Sequence, residues 1–117
     1  MSYEKTMITG NVGNAAVVRQ TQSGMQAIGF SVATNKKWVD DDGVEHEATK
    51  WFNCTKWVPQ GKSVEVAKYL LPGTIVTVDG EINASHYKTD EGKIMVSLEL
   101  KIVTLKLISK PATKEKK

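Results

Sequence analysis

Apolar and polar residues alternate along most of this chain, with the two-residue period of strands rather than the 3.6-residue period of helices. In "MQAIGFSVATN" (25–35), Ile28, Phe30 and Val32 share one parity. In "TKWFNCTKWV" (49–58), Phe52, Cys54 and Val58 share one parity, while Trp51, Asn53, Thr55 and Trp57 share the other. Val76 and Val78 alternate in "TIVTVDGEINASHY" (74–87). In "IMVSLELKIVTLKLIS" (94–109), Ile94, Val96, Leu98, Leu100 and Ile102 share a parity, and then Val103, Leu105 and Leu107 continue on the opposite one. A bulge would produce that switch, and so would a second apolar face covered by another subunit. "MITGNVGNAAVVRQ" (7–20) is also strand-like, with Gly10 and Gly13 inside it. Glycines there mark a bulge or a sharp bend, as at a barrel corner.

Polar clusters separate these runs. "TQSG" (21–24), "DDDG" (40–43) and "KTDEGK" (88–93) have turn chemistry. "DDDG" sits in a polar stretch, residues 35–49, that has the shape of a long hairpin with a solvated tip. One segment departs from the strand period. In "PQGKSVEVAKYLLPG" (59–73), Val64, Ala67 and Leu71 fall at helical spacing, Ser63 suits a helix start and Pro72-Gly73 a stop. This spacing predicts one helix of about two to three turns. Three strands, a helix and two more strands, joined by long hairpins, is the order of an OB-fold. The expectation is therefore an all-β, five-stranded, partly open Greek-key barrel with one short helix between strands three and four. The domain spans 1–109, followed by a basic tail at 110–117.

Composition narrows the setting. A chain of 117 residues is enough for one domain and one modest core. Apolar content of 40% and charged content of 25% fit folded material rather than disorder. No apolar run is long enough to span a bilayer, and the N-terminus lacks the pattern of a signal peptide. A single cysteine, Cys54, excludes an internal disulfide and fits a reducing cytoplasm. The net charge of +3 lies in residues 110–117; residues 1–109 carry 12 basic and 12 acidic groups. Total charge is thus no argument for a nucleic-acid partner, and any such argument must rest on where the charges sit.

The aromatics supply that argument. Trp38 follows Lys36 and Lys37, Trp51 follows Lys50, Trp57 follows Lys56, and Tyr87 precedes Lys88. Lys50 and Lys56 have the parity opposite to their tryptophans and would have to reach round a barrel rim. Single-stranded nucleic acid calls for this pairing of residue types. Its unpaired bases stack on exposed rings, each worth about 1–3 kcal/mol. Its phosphates are neutralised by nearby lysines, with release of counterions. Trp51 and Trp57 would stand roughly 20 Å apart on an extended strand, which suits a track of several nucleotides better than one small ligand. Core packing is the competing explanation for any single tryptophan. The parity that Trp51 and Trp57 share with Asn53 and Thr55 favours open platforms.

Other chemistry finds little support. His46, His86 and Cys54 lack metal-ligand spacing, and Asp40, Asp41 and Asp42 read as a solvated turn. No nucleophile sits beside a histidine in a convincing motif. "QGKS" (60–63) has Lys56 where a phosphate loop needs its first glycine. No catalytic residue, metal or cofactor is assigned. The residues favour a non-catalytic binder of single-stranded nucleic acid. An adaptor OB module that binds another protein, and RNA in place of DNA, stay open as alternatives.

Several of these motifs are similar to one family. "ITGNVG" (8–13), "FSVATN" (30–35), Trp38 with Asp40, "TKW" (49–51), "VAKYLLPGTIVTVDGEI" (66–82) and "DEGK" (90–93) resemble the bacterial single-stranded DNA-binding proteins, in the family's order. The resemblance covers about residues 5–109. It implies an OB-fold that assembles as a homotetramer. It implies sequence-independent binding and protection of single-stranded DNA in replication, recombination and repair, in the bacterial cytoplasm at the nucleoid. Base stacking is implied for Trp38, Trp51, Trp57 and Tyr87. The family commonly has phenylalanine at the position of Trp57 and tryptophan or another aromatic at that of Tyr87; both changes keep a π-face. Phosphate contacts are implied for Arg19, Lys36, Lys62 and Lys88, and adjacency to the aromatics adds Lys37, Lys50 and Lys56. Typical members continue into a flexible linker and an acidic tip that recruits repair enzymes. This sequence ends on "TKEKK", with the opposite charge, which speaks against recruitment by that route.

Overall fold

The first strand-like segment folds as two strands rather than one. In the computed structural model, which describes residues 2–110, β1 runs Thr6–Val12 and β2 runs Val17–Gln20. Between them the chain turns a corner at Gly13, whose N–H donates to the Ser31 carbonyl at 2.9 Å. Gly10 has a different role. A Cβ there would strike the Ala33 carbonyl, so glycine permits β1 to cross close to the third strand. That strand, β3 (Gln26–Val39), pairs with β4 (Glu45–Val58) in one unbroken antiparallel ladder from Gln26↔Val58 to Val39↔Glu45. The polar stretch 35–49 is thus mostly strand, with only residues 40–44 left for the turn. Ladder hydrogen bonds are made by backbone, so the hairpin extends past the point where side chains stop being buried.

The last two strands, β5 (Ile75–Lys88) and β6 (Ile94–Ser109), form the second long hairpin. Pairings β1–β5, β5–β6, β6–β4, β4–β3 and β3–β1 make a continuous ring of five strands, and β2 extends β3 at the rim. Two seams are thin. β1 meets β3 over Asn11↔Ala33 and Val12↔Val32, and β4 meets β6 in parallel over Asn53↔Glu99, Cys54↔Leu100 and Thr55↔Lys101. The OB-type barrel is therefore closed around its whole circumference. Inside lie Ile28, Phe30, Val32, Phe52, Cys54, Val58, Val76, Val78, Leu100 and Ile102, all buried, which is the core parity read from the pattern. Burial pushes the Cys54 thiol up to about 12, so it is a protonated small apolar residue.

The parity switch in β6 is a bulge. Asp79 pairs with Thr104 and Gly80 with Ile102, which leaves Val103 unpaired and exposed. Gly80 is required there because a Cβ would run into the Lys101 carbonyl. Ile94 and Val96 share the core parity but lie beyond the barrel on the hairpin arm, where they are exposed.

The predicted helix is shorter than expected. A single 3₁₀ turn, Glu65–Tyr69, replaces two to three α-turns. Residues 62–71, ten positions between the turn at Pro59–Gly61 and Pro72-Gly73, fall short of the ~12–15 residues an isolated helix needs. Val64 and Val66 are β-branched and add little helical preference. Ser63 still serves the entrance, its Oγ accepting from the Glu65 N–H at 3.2 Å. The segment's main contribution is Leu70, fully buried in the core, whose carbonyl accepts from the Ala16 N–H at 3.0 Å. The loop ahead of it is tied down by Gln26, whose buried amide donates to the carbonyls of Pro59 at 3.3 Å and Lys62 at 3.2 Å. Of the basic tail, residues 111–117 lie outside the described residues.

Candidate functional site

Strand alternation turns Phe52, Cys54 and Val58 inward and therefore turns Trp51, Asn53 and Trp57 to the outside of the barrel. Across the ladder, Trp57 faces Ala27 and Trp51 faces Ala33. Between them, Asn53 faces Ser31 and Thr55 faces Gly29. Each indole thus has a small partner, and the floor between the two rings carries no bulky side chain. A cleft of about 290 Å³ opens on that floor, lined by Gly29, Ser31, Asn53 and Thr55, with Arg19 and Asn14 at its side. Arg19 belongs to this face because β2 pairs it with Ala27.

The four aromatics named above are all open to solvent, with exposures of 42% for Trp38, 54% for Trp51, 40% for Trp57 and 55% for Tyr87. They do not all share one face. Tyr87 has outward parity on β5 and pairs with Met95. Its hairpin joins the tryptophan face through the parallel seam, where the Asn53 amide donates to Ser97 Oγ at 2.9 Å. Trp38 is the exception. It has the parity of Ile28, Phe30 and Val32, so it lies on the opposite side of the β3–β4 ribbon, past the end of the core.

The basic residues divide in the same way. Lys36 keeps company with Trp38, its Nζ 5.9 Å from the ring centroid. Lys37 has outward parity opposite Glu47. Lys50 does not reach round to Trp51; its Nζ lies 6.0 Å from the Phe52 ring on the other side of the strand. Lys56 has core parity and is half-buried opposite Ile28. Lys62 is exposed after the Pro59–Gly61 turn, and Lys88 ends β5 opposite Ile94. Lysine next to an aromatic in sequence is therefore lysine on the other face of the same strand, except where an i, i+2 neighbour such as Lys36 shares the side.

Three residues matter that the pattern alone assigned elsewhere. Gly13 supports Trp51: a Cβ there would collide with the six-membered edge of the indole and come within 2.8 Å of Ser31 Oγ. Gly13→Ala is expected to swing the Trp51 ring and shift its emission, at a cost of about 1 kcal/mol or less because the ring is at the surface. An emission spectrum identical to that of the parent would show that Gly13 does not set the ring. The other two are His46 and Asp40. Trp38 and His46 are cross-strand partners whose rings stack with centroids 5.3 Å apart and planes 21° from parallel. His46 Nε2 pairs with Asp40 Oδ2 at 2.7 Å. Asp40 Oδ1 meanwhile accepts from the N–H groups of Asp42 and Val44, both at 2.9 Å, and so closes the turn. The bond to His46, then the Val44 amide, then the Asp42 amide hold the Asp40 carboxyl below its ordinary value. The sequence marked the turn but not its register, and the register is what brings this group together. A five-residue turn over 40–44, centred on Asp42, sets residue 38 opposite residue 46.

A closed five-stranded barrel of this topology, with an aromatic shelf on its outer face, defines an OB-fold protein. The chain belongs to the single-strand binding protein family, whose model matches residues 3–108. Among curated relatives, the single-stranded DNA-binding protein of Neisseria meningitidis serogroup A is 34% identical over 93 residues, covering 79% of this chain and 52% of the relative. That of Xanthomonas axonopodis pv. citri is 35% identical over 89 residues, covering 75% of this chain and 48% of the relative. The chain thus spans about half the length of these relatives. Two solved structures share the fold. A Plasmodium falciparum SSB in complex with ssDNA gives a TM-score of 0.74 at 24% identity, covering 93% of this chain and 97% of that one. A small single-stranded DNA-binding protein from Streptomyces coelicolor gives 0.70 at 18% identity, covering 92% and 96%.

Proposed function

We propose that this chain is a non-catalytic, sequence-independent binder of single-stranded DNA. The observation that carries this is the shelf on β4: two exposed indoles, Trp51 and Trp57, separated by a floor of small residues. Flat rings with open space between them accept any base, because every base has a π-face, and on the floor Ser31 and Asn53 are already hydrogen-bonded to Asn14 and Ser97. Arg19 and the lysines supply charge for the phosphates. The strand would follow the outer face from Trp57 past Trp51 toward Tyr87 and would round the β3–β4 hairpin to reach Trp38. A path that changes faces is a wrapped path. Relatives and one structural neighbour are described as single-stranded DNA-binding proteins or as a complex with ssDNA, and their likeness supports the same partner here.

Exposed Ile94, Val96 and Val103 offer apolar surface for self-association, and a homotetramer is the assembly we assign. The cellular setting we assign is the bacterial cytoplasm at the nucleoid, in replication, recombination and repair. Among the described residues no helix is long and apolar enough to cross a membrane.

Titration with oligo-dT tests the proposal. It should quench the tryptophan fluorescence, and log affinity should fall with log salt by a slope of about −0.7 per phosphate neutralised. Unchanged fluorescence at low salt would sink the reading, and a flat salt response would remove the basic residues from it. Competition by oligo-U decides between DNA and RNA.

A further inference from the structure

Of the aromatic platforms, only Trp38 is built with a second ring against it. We propose that His46, clamped by Asp40, is a positioning residue that makes Trp38 a one-faced base platform. This rests on the single-stranded DNA reading above.

The geometry is a relay of three side chains. Asp40 is fixed by two backbone amides, so its second oxygen is a stationary acceptor. His46 Nε2–H donates to that oxygen, which fixes the plane of the imidazole. The imidazole stacks on the indole and so holds the Trp38 ring in one orientation. An exposed tryptophan at a loop tip would otherwise sample several rotamers and lose entropy when a base stacks on it. With one face backed by His46, the ring is preorganised and a base can stack only on the other.

The test uses the full chain with His46→Ala and His46→Phe at one fixed pH and salt concentration. In the free protein, time-resolved fluorescence anisotropy should gain a fast component in His46→Ala, because the Trp38 ring is released, and His46→Phe should stay like the parent. With oligo-dT, His46→Ala should bind about two- to tenfold more weakly, the size of a lost aromatic pair, while His46→Phe should bind like the parent. Parent-like binding by His46→Ala, or binding by His46→Phe as weak as that of His46→Ala, overturns the proposal. If the parent ignores oligo-dT but His46→Ala alone gains the fast component, the DNA reading fails and the positioning of Trp38 by His46 stands.

Discussion

Trp51→Ala will weaken binding to oligo-dT by about 1–3 kcal/mol, a loss of roughly five- to 150-fold, while leaving the fold intact. The ring is more than half exposed, so its removal opens no cavity in the core. Its cross-strand partner is only an alanine and its neighbour across the corner only a glycine, so no other side chain takes over the stacking surface. The effect should exceed that of truncating any single lysine, because an exposed ion pair with a phosphate is screened by solvent and salt. Titration of the variant at one fixed salt concentration, beside a urea melt, provides the check. Normal affinity in a folded variant would place the bases elsewhere. Coincident loss of affinity and of stability would make Trp51 a structural residue.

The converse substitution lies at Leu70. Leu70→Ala should destabilise the domain by about 2–5 kcal/mol, from lost burial plus the cavity left behind. Leu70 is fully buried and is supplied by a segment with little regular structure of its own, held by one short 3₁₀ turn. Few backbone bonds oppose its loosening, so packing is what keeps the segment on the barrel. Against a total stability of about 5–15 kcal/mol for a domain of this kind, the loss is large. A lower urea midpoint with oligo-dT affinity unchanged at low denaturant is the expected pattern. If stability holds, the segment is not what seals the core. Together the two variants separate ring from core, since each should move one measurement and spare the other.

How far the sequence was legible follows from what each feature depends on. Core parity on β3, β4 and β5 was readable because alternation is a local property, enforced by the pleat at every residue. The parity switch after Ile102 was visible as an anomaly, yet its cause needed Gly80, more than twenty positions away, to seat the Lys101 carbonyl. The 3₁₀ turn was overestimated because spacing of apolar residues states which side is buried and does not state whether so short a segment closes α-helical hydrogen bonds. Lys50 illustrates the same limit at the candidate site. Adjacency to Trp51 in sequence suggested partnership, and the pleat sent the two side chains to opposite faces.

The succession of strands along the chain, the turn positions, the inward residues and the exposure of Trp51 and Trp57 were written in the chain itself, since each is set by interactions within a few residues. Closure of the ring through β1–β3 and β4–β6, the split of the aromatics between two faces, and the contact of Trp38 with His46 and Asp40 belong to the tertiary structure. They depend on which strands meet and in what register. Such pairings are long-range choices, decided by how the whole core packs.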